Sequence, residues 1–209
     1  MSETITYYFA LTSTWAYVGH DNFVELARRH GAGIDYRPLP LHDLFEATGG
    51  LPLSERKRWR QDYRFLELQR WRDKLGKTFN LRPVHWPLPN DLADRVVLAI
   101  LDKGDDPHPA ISRFYSGTWE RDENLNDPDV VVRLADEVGF DGRELTRIAD
   151  LPHIRERYRN NLDAAVADGV FGSPAFILNG ELFWGQDRLP FLDEALISGR
   201  PPYKVAGNV

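Results

Sequence analysis

The sequence predicts an α/β protein in which a small mixed sheet is interrupted by a long all-helical segment. Three observations carry this. A strand–helix–strand unit opens the chain, and a two-strand hairpin centred on Asn179-Gly180 lies near its end. Between them, residues 43–160 carry almost no strand signal.

Each element follows in order. Ile5 to Leu11 is rich in Tyr, Phe and β-branched residues and predicts a strand. From Trp15 to His30, Ala16, Phe23, Leu26 and Ala27 recur at helical spacing, and the pattern stops at Gly31, a C-terminal cap. The run "GIDYRPLPL" predicts a second strand ending at prolines. Strand, helix and strand together imply a parallel pair with a right-handed crossover. The stretch "SERKRWRQDYRFLELQRWRDKLG" opens on a capping-like Ser54 and places Trp59, Tyr63, Leu66 and Arg70 on neighbouring turns, which predicts a long amphipathic helix. "DLADRVVLAILDKG", "HPAISRFYSGTWERD", "DPDVVVRLADEVG" and "DGRELTRIAD" read as further helices, with Asp or Pro near their starts. "HIRERYRNNLDAAVADG" is one more, ending at Gly169. "SPAFILNGELFWG" is two short apolar runs joined by Asn-Gly, a strong hairpin signal, and "QDRLPFLDEALISG" is a closing helix. The order β-α-β, helical block, α-β-β-α is that of a thioredoxin fold with a helical insertion. The expected division is a discontinuous thioredoxin-like domain, residues 1–42 plus 161–209, and an insertion of residues 43–160.

Composition bounds the function. The chain has 209 residues, a net charge of -6 and no cysteine. The acidic balance argues against a nucleic-acid or anionic-membrane surface. Without cysteine there are no disulfides, no thiolate metal ligands and no redox chemistry on a protein thiol. No apolar run approaches the roughly 20 residues of a membrane span, and "MSETITYYFA" lacks the features of a signal peptide, so the expected location is the cytoplasm. Any sulfur chemistry must use a sulfur that a cofactor brings.

Three distant segments converge if the fold is right. The first is the turn Thr12-Ser13-Thr14. A group there sits among unpaired N–H groups at the positive end of a helix dipole, a place suited to an anion and above all to a thiolate. The plainer reading is that Ser13 or Thr12 simply caps the helix. The second is "GVFGSPAFIL". If the Ser173-Pro174 bond is cis, the backbone before it is presented to an extended, peptide-like ligand; by composition alone an X-Pro bond is trans. The third is "FWGQDRL", where Gln186 and Asp187 either cap the last helix or bind an ammonium group, and Arg188 offers an anchor for a carboxylate.

At these residues the chain resembles the 2-hydroxychromene-2-carboxylate isomerases, which group with the kappa-class glutathione transferases and, more distantly, with the DsbA-type disulfide oxidoreductases. The likeness covers nearly the whole chain. It rests on "TSTWAYVGH" at 12–20, "GGLPLSERKRWRQDYRFLELQRW" at 49–71, "NLRPVHWPLPNDLADRVVLA" at 80–99 and "GVFGSPAFILNGELFWGQDRL" at 169–189.

The resemblance implies a thioredoxin domain with an inserted helical domain, and glutathione as cofactor. A serine that replaces the first active-site cysteine maps onto Ser13, whose hydroxyl would hydrogen-bond the glutathione thiolate. The backbone of Ser173 beside Pro174 would hold the cysteinyl part, and Asp187 with Gln186 the γ-glutamyl end. Trp15 and Trp184 would wall an aromatic substrate, with His85 near it. Arg188, Lys57, Arg58 and Arg60 are the cationic candidates for carboxylates. The implied reaction is reversible conjugate addition, interconverting the chromene and trans-o-hydroxybenzylidenepyruvate. A kappa-like transferase or peroxidase on another electrophile, or a binding module without chemistry, are the alternatives. Members are commonly dimeric, an implication without a motif of its own here.

Three positions depart from the family pattern. Thr14 stands where many members have proline, Ala10 where many have aspartate, and "GGLPL" at 49–53 offers no asparagine. His20, His30, His42, His85, His108 and His153 show no metal-ligand spacing, and no metal is expected. Trp59, Trp71, Trp86 and Trp119 are expected to pack in the core or between domains, and "ISGRPPYKVAGNV" to form a loose tail.

Overall fold

Every second residue of the first strand faces one layer of helices, and that alternation organises the molecule. The computed structural model describes residues 3–87 and 91–204. β1 (Thr4–Phe9) sends Ile5, Tyr7 and Phe9 to one face and Tyr8 to the other, all fully buried. α1 (Thr14–His30) follows and ends on Gly31 in the left-handed conformation, as its sequence requires. β2 (Gly33–Pro38) pairs parallel to β1, with Tyr7 opposite Tyr36. Then come α2 (Leu41–Thr48), α3 (Arg58–Leu75), α4 (Asp91–Asp102), α5 (His108–Glu120), α6 (Pro128–Asp136), α7 (Gly142–Ala149) and α8 (Pro152–Ala167). β3 (Ala175–Leu178) and β4 (Glu181–Trp184) form the hairpin, with Asn179 and Gly180 both at positive φ. A single 3-10 turn over Gln186–Arg188 leads into α9 (Leu189–Ser198).

The sheet order is β2-β1-β3-β4, with β3 antiparallel to both neighbours. Its strands run close to the expected bounds. Only residues 10–11 leave β1 early, because their backbone is claimed by side chains of the active-site region. One face packs Tyr7 against Phe9 and Phe176, with ring centroids 4.6 and 5.3 Å away, and continues into Phe23 of α1, Val96 and Val97 of α4 and Phe114 of α5. The other face packs Tyr8 against Leu39, Leu44 of α2, Ala165 of α8 and Val170. The helical block therefore shares the sheet's core, and α8 runs unbroken through residue 160, where the sequence suggested a seam.

Several expectations are corrected here. Ser54 does not cap α3. A short 3-10 turn holds Leu53–Glu55, and the helix starts only at Arg58, with Lys57 before it making no side-chain cap. Nor is α3 amphipathic on the expected stripe: Trp59 is 82% exposed, Tyr63 and Leu66 are exposed too, and the buried positions are Arg64 and Leu68. Trp59 thus packs in no core. Trp119 does, and Trp71 and Trp86 pack against it in part. The C-terminal end is tied down rather than loose as far as Tyr203: Arg200 grips Glu181 through two hydrogen bonds of 2.7 and 2.8 Å, and the Tyr203 N–H donates to the same carboxylate. Residues 205–209 lie outside the described residues, as do residues 88–90 of the third family-like block.

Among the described residues no helix is long and apolar enough to cross a membrane.

Candidate active site

The strand-to-helix turn after β1 is held from all sides. Ser13 is the N-cap of α1: its Oγ accepts from the Ala16 N–H at 3.2 Å, and its hydroxyl donates to the Ser173 carbonyl at 3.0 Å. The capping role is therefore real, and it coexists with a second contact across the fold. Ser173 answers through its own hydroxyl, which accepts from the Ala10 N–H at 3.2 Å. The Ser173-Pro174 bond is cis, which sets these two segments face to face. Both serines are buried.

The insertion supplies the rest of the frame. The Trp86 indole donates to the Thr12 carbonyl at 2.9 Å, and Tyr115 donates to the Ala10 carbonyl at 3.3 Å. Asp94 of α4 accepts from the Leu11 N–H at 3.0 Å and from the Tyr158 hydroxyl at 2.9 Å. Burial raises the Asp94 carboxyl to about 8, so at neutral pH it is held largely protonated. Arg64 of α3 donates through Nη2 to the Thr14 hydroxyl. Thr14 thus uses a group that proline, common at this place in the family pattern, does not have.

Two hollows flank the turn. The smaller, about 230 Å³, is lined by Trp15, Trp71, Ser173, Trp184 and Gln186–Arg188. Its far wall is possible because Gly19 of α1 carries no side chain: a Cβ there would run into the Cβ of Gln186. Gln186 is buried, while Asp187 and Arg188 are half exposed and pair with each other at 2.8 Å. Trp184 leans on Phe171 with centroids 4.6 Å apart. The larger hollow, about 530 Å³, lies on the other side and is lined by Thr12, Phe45, Leu53, Trp86, Asp94 and Tyr158 among others. The loop at 49–53 ends on its rim through Pro52 and Leu53.

Of the residues singled out from sequence, Ser13, Ser173 and Pro174 meet at the turn, and Trp15, Trp184, Gln186, Asp187 and Arg188 gather around the smaller hollow. His85 lines neither hollow. Arg64, Trp86, Asp94 and Tyr158 were not singled out as site residues. Arg64 sits inside a charged helical run that reads as solvent-facing, and Asp94 near the start of a helix where an acid is ordinary, so no local signal marked them.

One histidine grouping also escaped sequence spacing. His20 on α1 and His108 on α5 bring ring nitrogens to 3.0 Å, beside Asp21. Burial, then His108, pushes His20 down to about 3, so its ring is neutral. The Asp21 carboxylate is already taken by Lys77 at 2.7 Å and by Ser112.

The fold, with Ser13 at its strand-to-helix turn facing Ser173 before β3, defines a thioredoxin-type protein without a thiol of its own. A family model described as DSBA-like thioredoxin domain matches residues 4–197, and the chain belongs to that family. Among curated proteins it is similar to the 2-hydroxychromene-2-carboxylate isomerase of Sphingobium xenophagum, 29% identical over 94% of this chain and 100% of that protein. The Pseudomonas putida isomerase of the same name is 25% identical over 92% of this chain and 93% of its own. Among solved structures, a 2-hydroxychromene-2-carboxylate isomerase superposes with a TM-score of 0.81 at 21% identity, covering 93% of this chain and 95% of that one. The cytosolic disulfide reductase DsbM of Pseudomonas aeruginosa, solved with GSH, gives 0.69 at 15% identity, covering 94% and 98%. These structural likenesses speak for the fold.

Proposed function

We propose that the protein is a glutathione-dependent isomerase that interconverts 2-hydroxychromene-2-carboxylate and trans-o-hydroxybenzylidenepyruvate, or a close aromatic relative. The observation that carries this is the Ser13 hydroxyl at the start of α1, facing Ser173 before a cis-proline, in a chain without a thiol of its own. The isomerases similar to it along nearly their whole length support the substrate class.

The residues present fit glutathione. The smaller hollow runs from Ser173 to Asp187 and Arg188, so an extended peptide has backbone at one end and both signs of charge at the other. The Asp187–Arg188 pair is half exposed, and such pairs exchange for ligand charges at little cost. Glutathione would supply the thiolate nucleophile for a reversible addition to the unsaturated side chain. The Ser13 hydroxyl, now donated to the Ser173 carbonyl, would be available to that sulfur. The first turn of α1 would add its dipole, and both would lower the thiol pKa. Trp15 and Trp184 shield the reacting region from water. The net reaction consumes no proton and no electron.

The test is calorimetry of glutathione binding at pH 7 in two buffers of different ionisation enthalpy, on wild type and on Ser13→Ala, followed by an absorbance assay of chromene conversion with and without glutathione. Wild type should bind and release a proton, and Ser13→Ala should lose the release and at least about tenfold in turnover. Absence of binding at several millimolar glutathione, or conversion that ignores it, would overturn the reading. Accumulation of a glutathione conjugate instead of isomer would move the protein to the transferases.

A further inference from the structure

Arg64 is the unusual charge in this molecule. It is 8% exposed, and its Nη1 is buried without a hydrogen-bond partner among the described residues. No carboxylate among the described residues forms an ion pair with it. Glu67, one turn along α3, is engaged by Arg70 instead. Burial, with Arg56 of its own sign adding to it, lowers its pKa to about 10. Its one hydrogen-bond partner is the neutral Thr14 hydroxyl at the first residue of α1, where the helix dipole adds more positive potential. A guanidinium removed from water without a counter-ion costs free energy. A fold keeps such a group where an anion completes it.

The surroundings say where that anion comes from. The guanidinium lies over the Trp86 ring, 4.7 Å from its centroid, and Trp86 lines the larger hollow. On the same helix, Glu67 and Trp71 line the smaller one. Arg64 itself lines neither hollow: it lies behind Trp86 and holds Thr14, the residue after Ser13. The larger hollow offers Phe45, Leu53, Trp86 and Pro87 to an apolar body, and its acids are Asp43, Glu55, Asp91 and Asp94, with Asp94 neutral, so a carboxylate finds no lysine or arginine in the lining itself and has to reach past it to Arg64. We propose that Arg64 is the receptor for the carboxylate of an aromatic, unsaturated acid whose ring occupies the Trp86-lined hollow. This rests on the isomerase reading for the identity of the acid and sharpens it to one residue. Nη1 donates to the carboxylate while Nη2 keeps Thr14. The long arginine arm lets the planar fork turn on the Trp86 face without moving α3. The acceptor's reactive carbons are then held next to the Ser13 hydroxyl. The exposed cations of the same helix region, Lys57, Arg58 and Arg60, are not required.

The experiment compares two probes that differ in charge alone, cinnamate and cinnamamide. Both are titrated by tryptophan fluorescence into wild type, Arg64→Met and Arg64→Lys, and glutathione is titrated separately into the same three proteins. Wild type should bind cinnamate roughly tenfold or more tighter than cinnamamide, as a charge-assisted hydrogen bond in a water-poor site requires. Arg64→Met should bind the two alike, and Arg64→Lys should keep part of the preference. In turnover, Arg64→Met should raise KM for the acid far more than it lowers kcat, which a merely structural role would not do. Equal binding of the two probes by wild type overturns the proposal, and so does an undiminished preference in Arg64→Met. If Arg64→Met fails to fold, wild type and Arg64→Lys decide on the same criterion. A charge preference without glutathione binding would sink the isomerase reading and leave the Arg64 site standing.

Discussion

Two arginines are buried to nearly the same degree in this molecule and live in opposite circumstances. Arg113 on α5 is 9% exposed, and its fork is used throughout: Nε meets Glu137 at 2.7 Å, and Nη1 and Nη2 meet Glu123 at 2.8 and 3.2 Å. Arg133 joins the same two glutamates from outside. Among the described residues, Arg64 on α3 has a single neutral partner and an idle nitrogen. One arginine is part of the fabric of the insertion. The other is kept in a state that the fold alone does not explain. Satisfaction, rather than burial, separates a structural charge from a charge waiting for a ligand.

The sharpest way to break this comparison is to remove both. Arg113→Met leaves Glu123 and Glu137 to Arg133 alone and should cost about 3 kcal/mol in urea unfolding. Arg64→Met removes an uncompensated cation at the expense of one hydrogen bond and should change stability by less than about 1 kcal/mol. Equal losses would mean that Arg64 is structural after all.

A second, smaller effect concerns Asp94, which has its donors but not its charge. Its folded pKa of about 8 lies above its ordinary value, so the native state holds the proton more tightly than the unfolded chain. The stabilisation it contributes is complete below about pH 4 and drains away as pH rises to about 8. Against Asp94→Asn measured in parallel, wild type should lose stability steadily across that window. Superimposable pH profiles would show that the carboxyl is ionised throughout. His20 tilts the other way in both proteins, because a ring held neutral favours the folded state less as pH falls below its ordinary range.

Third comes Gly19, where α1 touches the turn carrying Gln186. Gly19→Ala overpacks that contact and should cost about 1–2 kcal/mol. It should weaken glutathione more than it weakens cinnamate, because only the smaller hollow is displaced. Equal weakening would mean that the two hollows are not independent.

How much of this was visible in the sequence follows from the range of each interaction. The hairpin was legible because Asn179-Gly180 is a local signal, and α1 because Ser13 and Gly31 mark its ends. The pairing of Ser13 with Ser173 spans 160 positions, and only the order of elements pointed to it. Helix α3 misled because its aromatic residues at helical spacing face water, while its buried stripe carries an arginine. Ser54 misled because a capping residue works only one position before the helix, and α3 starts further on. Arg64 was hidden because a charged residue within a charged helix reads as solvated, and Asp94 because an acid in the first turn of a helix is ordinary; only the tertiary structure shows that both are buried.

Four of the polar contacts that hold residues 10–14 come from the insertion, through Arg64, Trp86, Asp94 and Tyr115. A flap that swung open as a rigid body would have to break all four together. The turn is therefore tied to the helical block and the sheet at once, and the Leu11 amide proton should exchange with solvent only when α4 and the end of β1 part company. On the proposed reading, ligands would enter through the mouths of the two hollows, and turnover would need side chains to rotate but no hinge to bend.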